Sequence, residues 1–276
     1  FPKGLNALQS HFYIAQLYFK KDLKDNAAPH FKYVLEASQS EFTEEALLRL
    51  SQIYTEGKNW ADAIPVLMRL EADASFPQNV VFAQSNLMKA NYELKQYNDA
   101  VAYAEKVLIQ NSIDNRIKSD AHFIIARSAM KTGDENRAES AYAQVELTAL
   151  GEMAAEALFY NGYFKNKAGN YEASNGVIQK LAKDYSGYKY FGAKGLIVMA
   201  KNYFQLKDNF SATSILDSVI KNFSTYADVV TEAQTELDFI KAEISKTNAV
   251  FRYNRPRIGE SENDSLPPTT EHIVSN

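Results

Sequence analysis

The 276 residues contain no cysteine, which removes thiol catalysis, disulfides and cysteine-type zinc sites and leaves the redox compartment open. Long apolar runs are missing too. The longest, Gly195 to Ala200, is far short of the roughly 18 to 20 residues a bilayer-spanning helix requires. Neither sign of charge dominates: 30 Lys and Arg stand against 34 Asp and Glu, a formal net charge of -4. No basic field therefore draws the chain to nucleic acid or anionic lipid. Only four histidines occur, none paired at metal-ligand spacing, and the chain has no HExxH, DxDxDG, GxSxG, Walker-type or GxGxxG pattern. We expect no catalytic centre, no cofactor and no metal.

What the chain does have is periodicity. Hydrophobic residues make up 46% and aromatics 12%, enough for a continuous core. The small residues Ala27, Ala63, Ala100, Ala138, Ser174 and Thr213 recur at intervals of 36, 37, 38, 36 and 39. Self-similarity at 20 to 50 residues marks a repeat array. Three residues before most of these markers stands an aromatic: Trp60, Tyr97, Tyr171 and Phe210. Ahead of them lie turns such as Glu56-Gly57-Lys58-Asn59, Lys131-Thr132-Gly133-Asp134 and Ala168-Gly169-Asn170, whose Gly and Asn accept the left-handed backbone that ends one helix before the next. Twelve residues upstream of the markers are further compact residues, Ala15, Ser51, Met88, Ala126 and Gly162; Lys201 breaks the rule, and Ala200 beside it suggests a slip of one. Apolar residues around both positions fall at helical spacing, as in Leu47, Leu50, Ile53 and Tyr54, then Ile64, Leu67, Met68 and Leu70. Each unit thus reads as two antiparallel helices crossing at a pair of small residues.

A compact residue, an aromatic and then Gly-x-Tyr-x-x-Ala at these offsets resembles the tetratricopeptide repeat (TPR), over about Leu5 to Phe223. The resemblance implies an all-α right-handed superhelix, a TPR solenoid of about six helix-turn-helix repeats. The period exceeds the usual 34 or so, with the extra residues between units at Glu71 to Asn79, Glu146 to Met153 and Asp184 to Phe191. That is similar to the longer-period arrays of bacterial envelope TPR proteins and implies the periplasm or cell envelope, with the cytoplasm as the alternative. Ala227 to Lys246 reads as a C-terminal capping helix, its stripe of Val230, Ala233, Leu237, Ile240 and Ile244 closing the array. We therefore expect an array over residues 1–246 and a disordered tail over 247–276, where apolar periodicity fails and Pro267-Pro268 occurs. No equivalent cap precedes Leu5, and further repeats are expected before it.

The resemblance implies a non-catalytic scaffold that binds a polypeptide in the concave groove lined by the first helices. The groove positions map onto Phe12, Gln16 and Phe19; Leu48, Gln52 and Thr55; Ser85, Lys89 and Tyr92; Phe123, Arg127 and Met130; Phe159, Tyr163 and Asn166; Ile197, Lys201 and Phe204, with Lys20, Lys131 and Lys167 at the edge. Of these, Lys89, Tyr92, Phe123, Arg127, Lys131, Tyr163, Lys167 and Lys201 are the candidate partner-binding residues. Aromatics mixed with cations suit an extended peptide with acidic or C-terminal carboxylate groups. The Lys and Asn clamp of the family's chaperone-binding members is incomplete: Lys89 and Arg127 are present, the matching asparagines are not. The alternative is a structural or assembly module acting through oligomerisation or domain positioning.

The remaining polar residues read as architecture. His11 and His122 occupy a position where other units carry Leu47 and Leu158, which makes them packing substitutions. Carboxylates such as Glu44, Glu45, Glu232 and Glu236 are expected on solvated helix faces. Pro29 and Pro65, two residues after their markers, are expected near the start of a second helix.

Overall fold

The computed structural model describes residues 5–111 and 113–253, and among these it contains helices and no strand. They pair as the periodicity predicts: α1 (Leu5–Lys20) with α2 (Lys24–Leu35), α3 (Thr43–Glu56) with α4 (Trp60–Asp73), and α5 (Pro77–Glu93) with α6 (Tyr97–Leu108). Then come α7 (Asn115–Thr132) with α8 (Glu135–Thr148), α9 (Gly151–Lys167) with α10 (Tyr171–Asp184), α11 (Lys189–Gln205) with α12 (Asn209–Asn222), and a single long α13 (Ala227–Tyr253). Each helix packs mainly on its neighbours in sequence, so the core is a chain of local interfaces.

The second helices carry a spine of three residues at i, i+4 and i+7, the helical spacing that keeps one face aligned. It runs Ala27/Phe31/Val34, Ala63/Leu67/Leu70, Ala100/Ala104/Val107, Ala138/Tyr142/Val145, Ser174/Ile178/Leu181 and Ala212/Leu216/Val219, and no member is more than 1% exposed. Opposite stand Ala15, Ser51, Met88, Ala126 and Ala200, all at 0%, with Gly162 buried in the fifth unit. The sixth unit is therefore shifted by one from its expected marker. Ala212, not Thr213, sits at the crossing, Ala200 replaces Lys201, and Phe210 is left 81% exposed rather than packed.

Two glycines make room for one spine residue, Gly162 at the crossing of the fifth unit and Gly195 where α11 packs on α10. A β-carbon on Gly162 would lie 2.4 Å from Ile178 Cδ1, and one on Gly195 would lie 3.0 Å from Ile178 Cγ2, so Ile178 is held between two first helices and has no side to which it can retreat.

Between the helices of every unit one residue is left-handed: Asp22, Lys58, Lys95, Gly133, Gly169 and Lys207 have φ between 56° and 82°. The N–H of the following residue then bonds back over six residues, as from Asn59 to the Tyr54 carbonyl at 2.8 Å and from Asp134 to that of Ala129 at 2.9 Å. This is the Schellman closure of a helix. Gly57, expected to take that conformation, has φ -77°. The closure falls five residues before the crossing alanine, which in the second unit is Lys58.

Pro29 and Pro65 stand at the sixth residue of their helices, deeper than the first turn, on an exposed side where the carbonyl each leaves unpaired can be hydrated. The cap packs through Val229, Ala233, Leu237 and Ile240, with Val229 in place of the expected Val230. Residues 247–253 continue its helix instead of beginning the tail; 254–276 lie outside the described residues.

Two substitutions test this account by thermal or urea unfolding. Lys95→Gly relieves a left-handed lysine and is expected to stabilise the chain by about 1 kcal/mol. Gly162→Ala is expected to destabilise it by about 1 to 3 kcal/mol, and Ile178→Val in the same chain to recover part of that loss.

Candidate functional site

The inner positions of the first helices are joined from unit to unit by polar side chains. Gln16 donates to Glu45 (3.3 Å), Lys89 pairs with Asp120 (2.7 Å), Arg127 with Glu156, and Lys201 with Glu236 (3.4 Å) and Glu232 (3.8 Å). Lys194 also meets Glu232. In each case a residue on one first helix reaches the next first helix, or α13 at the end. The candidate cations Lys89, Arg127 and Lys201 are thus already neutralised within the protein. Lys167 at the edge pairs with Glu135 of α8. Lys131 is exposed and has no ion pair among the described residues.

The Arg127 pair is the most deeply placed. Glu156 is 4% exposed and takes two hydrogen bonds from the guanidinium, at 2.8 and 2.5 Å, and a third from the Tyr142 hydroxyl at 2.8 Å. Burial works against the Arg127 charge, but the Glu156 bonds and charge more than reverse this and hold its pKa above the usual value. Burial, reinforced by the Glu156 charge, pushes the Tyr142 hydroxyl up. Phe123 lies under the guanidinium with its ring centre 4.2 Å away, and Tyr160 stacks on Tyr142 at 4.3 Å. Tyr92 is half-buried beside Arg127, its pKa raised by burial against the pull of that charge. Tyr163 meets Tyr160 edge-on at 6.1 Å. The structure therefore brings Tyr92, Phe123, Arg127 and Tyr163 into one neighbourhood, with Lys89, Lys167 and Lys201 in separate pairs along the array.

Two expected groove residues are core: Ile197 is 0% and Phe159 7% exposed, because the adjoining units close over them. The carboxylates also depart from the expected solvated faces. Glu44 accepts from the N–H groups of Ser75 (3.0 Å) and Phe76 (3.3 Å) and from the Asn79 side chain (2.8 Å), fixing the entry to α5. Burial would raise its pKa, and those donors outweigh burial and lower it. Glu232 and Glu236 clamp α13 to α11. Glu156 was legible as the lone acid in the run Met153-Ala-Ala-Glu-Ala-Leu-Phe-Tyr160.

Two further polar clusters escaped the sequence reading because their members are far apart in the chain. Asn202, at 0% exposure, donates to Ser174 and Asn175 and accepts from Asn166, while Ser174 donates to the Gly162 carbonyl, so the buried amide is satisfied. His11 and His30 face each other with their Nδ1 atoms 2.9 Å apart, and His11 stacks on Tyr33. His30 has its pKa lowered, first by burial and then by His11; burial also lowers His122, in keeping with its packing role. His272 lies outside the described residues. No group of three or more potential metal ligands occurs among the described residues, and no helix there is long and apolar enough to cross a membrane.

Residues 45–74, spanning α3 and α4, match the family model of the tetratricopeptide repeat. None of the curated proteins matches the chain. A tetratricopeptide repeat protein from Parabacteroides merdae ATCC 43184 is similar over 85% of this chain and 92% of its own, at 13% identity and a TM-score of 0.53. Lower scores come from BtubC of P. vanneervenii (12% identity, 95% and 99% covered, TM-score 0.45) and the TPR2AB domain of yeast Sti1 in a pHSP90 complex (14%, 86% and 100%, 0.35). The chain carries a tetratricopeptide repeat and has the fold of a TPR solenoid, an architecture that serves generally as a protein-interaction scaffold.

Arg127→Ala leaves Glu156 buried without its counter-charge and is expected to destabilise the chain by about 3 to 5 kcal/mol in denaturant unfolding. Arg127→Met with Glu156→Gln removes both charges, keeps an acceptor for Tyr142, and should recover most of that loss. His30, with its pKa below the ordinary 6.5 or so, binds fewer protons folded than unfolded in that window. Its contribution is complete above that range and is lost as pH falls through it. The melting temperature should therefore drop more between pH 7.5 and 5.5 for the parent than for His30→Gln.

Proposed function

We propose that the chain is a non-catalytic scaffold that holds a polypeptide along the concave face built by α1, α3, α5, α7, α9 and α11. The observation that carries this is the state of the inner residues. Phe12, Phe19, Gln52, Tyr92, Phe123, Met130 and Tyr163 stay half-buried, whereas the small residues at the crossings of the same helices are closed off entirely. A partly exposed row of aromatics on a frame held by cross-unit pairs can bind without ordering itself first. Anchoring by aromatic and apolar groups is the better reading than attraction of an acidic peptide, since Lys89, Arg127 and Lys201 have carboxylate partners and, among the described groove and edge residues, Lys20 and Lys131 are the exposed cations that remain. The cell envelope is proposed as its location on the long repeat period alone, with the cytoplasm as the alternative.

A photo-reactive residue put at Lys131 or Tyr163, and in separate chains at the outer positions Ser140 or Glu172, tests the reading in an extract of the cells that make the protein. Crosslinks to a discrete polypeptide from the inner positions alone are expected. Crosslinks from the outer positions alone, or equally from both, would move binding off the concave face.

Assembly as the function has one specific observation in its favour. Ile14 and Leu17 of α1 are 38% and 59% exposed, yet Leu50, Leu87 and Ile125, and Ile53, Ala90 and Ser128, at the same register in later units, are at most 9% exposed. A helix like α2 or α4 would cover them. Sedimentation of the parent beside Ile14→Glu, Leu17→Glu tests this: association lost in the variant supports assembly, and a monomeric parent removes it.

A further inference from the structure

Resting on the reading of the chain as a polypeptide-binding scaffold, we propose that the cleft between α5 and α7 is its specificity pocket, and that it takes an uncharged, extended peptide segment through one large apolar side chain. The cleft holds about 590 Å³, room for a large side chain with part of its backbone. Pro77, Val81, Phe82 and Ile117 form its apolar wall. Among the described residues no charged side chain lines it, in a chain where charged residues are 23% of the total. A charged side chain entering here would give up water without gaining a counter-charge, so the cleft selects against it.

The polar groups around the wall are arranged for a peptide backbone. Asn86 and Gln110, both lining residues, use their side-chain N–H groups inside the protein: Asn86 donates to the Phe82 carbonyl at 2.9 Å and Gln110 to Gln84 at 3.0 Å. Their side-chain oxygens accept no hydrogen bond among the described residues and remain for the N–H groups of an extended segment. Ser85, also in the wall, has its hydroxyl oxygen out of contact with solvent and without a partner among the described residues, so this oxygen does not itself meet a segment in the cleft.

The surface beyond the cleft continues its character. Phe76, next to Pro77, is 56% exposed, and Ile109, next to Gln110, is 78% exposed. At the end of the next unit Leu147 and Leu150 are 76% and 83% exposed. Lys89 and Asp120, which pair with each other, stand about one turn further along α5 and α7 than the lining residues Ser85 and Ile117. Apolar groups exposed in succession beside a formed cleft mark a contact surface rather than scattered surface residues.

The test is selection of a random linear-peptide display library on the whole purified chain, followed by titration of fluorescent synthetic peptides. The proposal expects enriched peptides with an aromatic or large aliphatic residue inside an uncharged stretch. Their affinity should fall at least tenfold in Val81→Arg and in Gln78→Arg, and stay within twofold in Glu172→Arg, an exposed outer position on α10. Gln78 is exposed, so the second variant reads the cleft even where Val81→Arg disturbs folding. Enriched peptides that are acidic and lose affinity in Lys131→Glu would overturn the cleft and leave the scaffold reading standing, as would apolar peptides indifferent to both cleft variants. Failure to enrich any peptide would overturn both.

Discussion

Two helices can cross closely only where one of them has almost no side chain, and the fold depends on meeting that condition once per unit. Ala15 against Ala27, Ser51 against Ala63, Gly162 against Ser174 and Ala200 against Ala212 are the same solution with different residues. Closeness at the crossing lets the spine residues four and seven positions on reach the next first helix, so one local constraint produces both the hairpin and the stacking. The left-handed residue five positions before each crossing follows from it, because the chain must reverse within a few residues to bring the second small residue opposite the first.

The polar contacts act at a second level. Packing joins neighbouring helices, and the side-chain pairs on the inner face join α1 to α3, α5 to α7, α7 to α9 and α11 to α13. They tie neighbouring units together on the inner face, in addition to the packing of their helices. The Arg127–Glu156 pair is the most strongly buried of them. Removing it changes the frame before it changes any contact with a ligand, and the inner charges are therefore poor guides to what is bound.

Periodicity made the architecture readable: the helix pairs, the crossings, the turns and the cap all follow from spacings along the chain. The one-residue slip at Lys201 was visible because Ala200 stood beside it, while the matching shift to Ala212 was obscured by Thr213, which is also small. The site was less legible, because its character depends on partners about a unit away. Lys89 looks like a free cation until Asp120 is placed against it, and His11 looks like a substituted leucine until His30 faces it. The α5–α7 cleft has no sequence signal, since it arises from the spacing of two helices rather than from a residue pattern.

The central claim is that the first helices form the working face and the second helices the support. Hydrogen exchange of the whole chain, alone and with a bound polypeptide, measures this helix by helix. Added protection in α5, α7 and α9, with α6, α8 and α10 unchanged, is the predicted result. Protection confined to the second helices, or spread equally over both sets, would contradict the account.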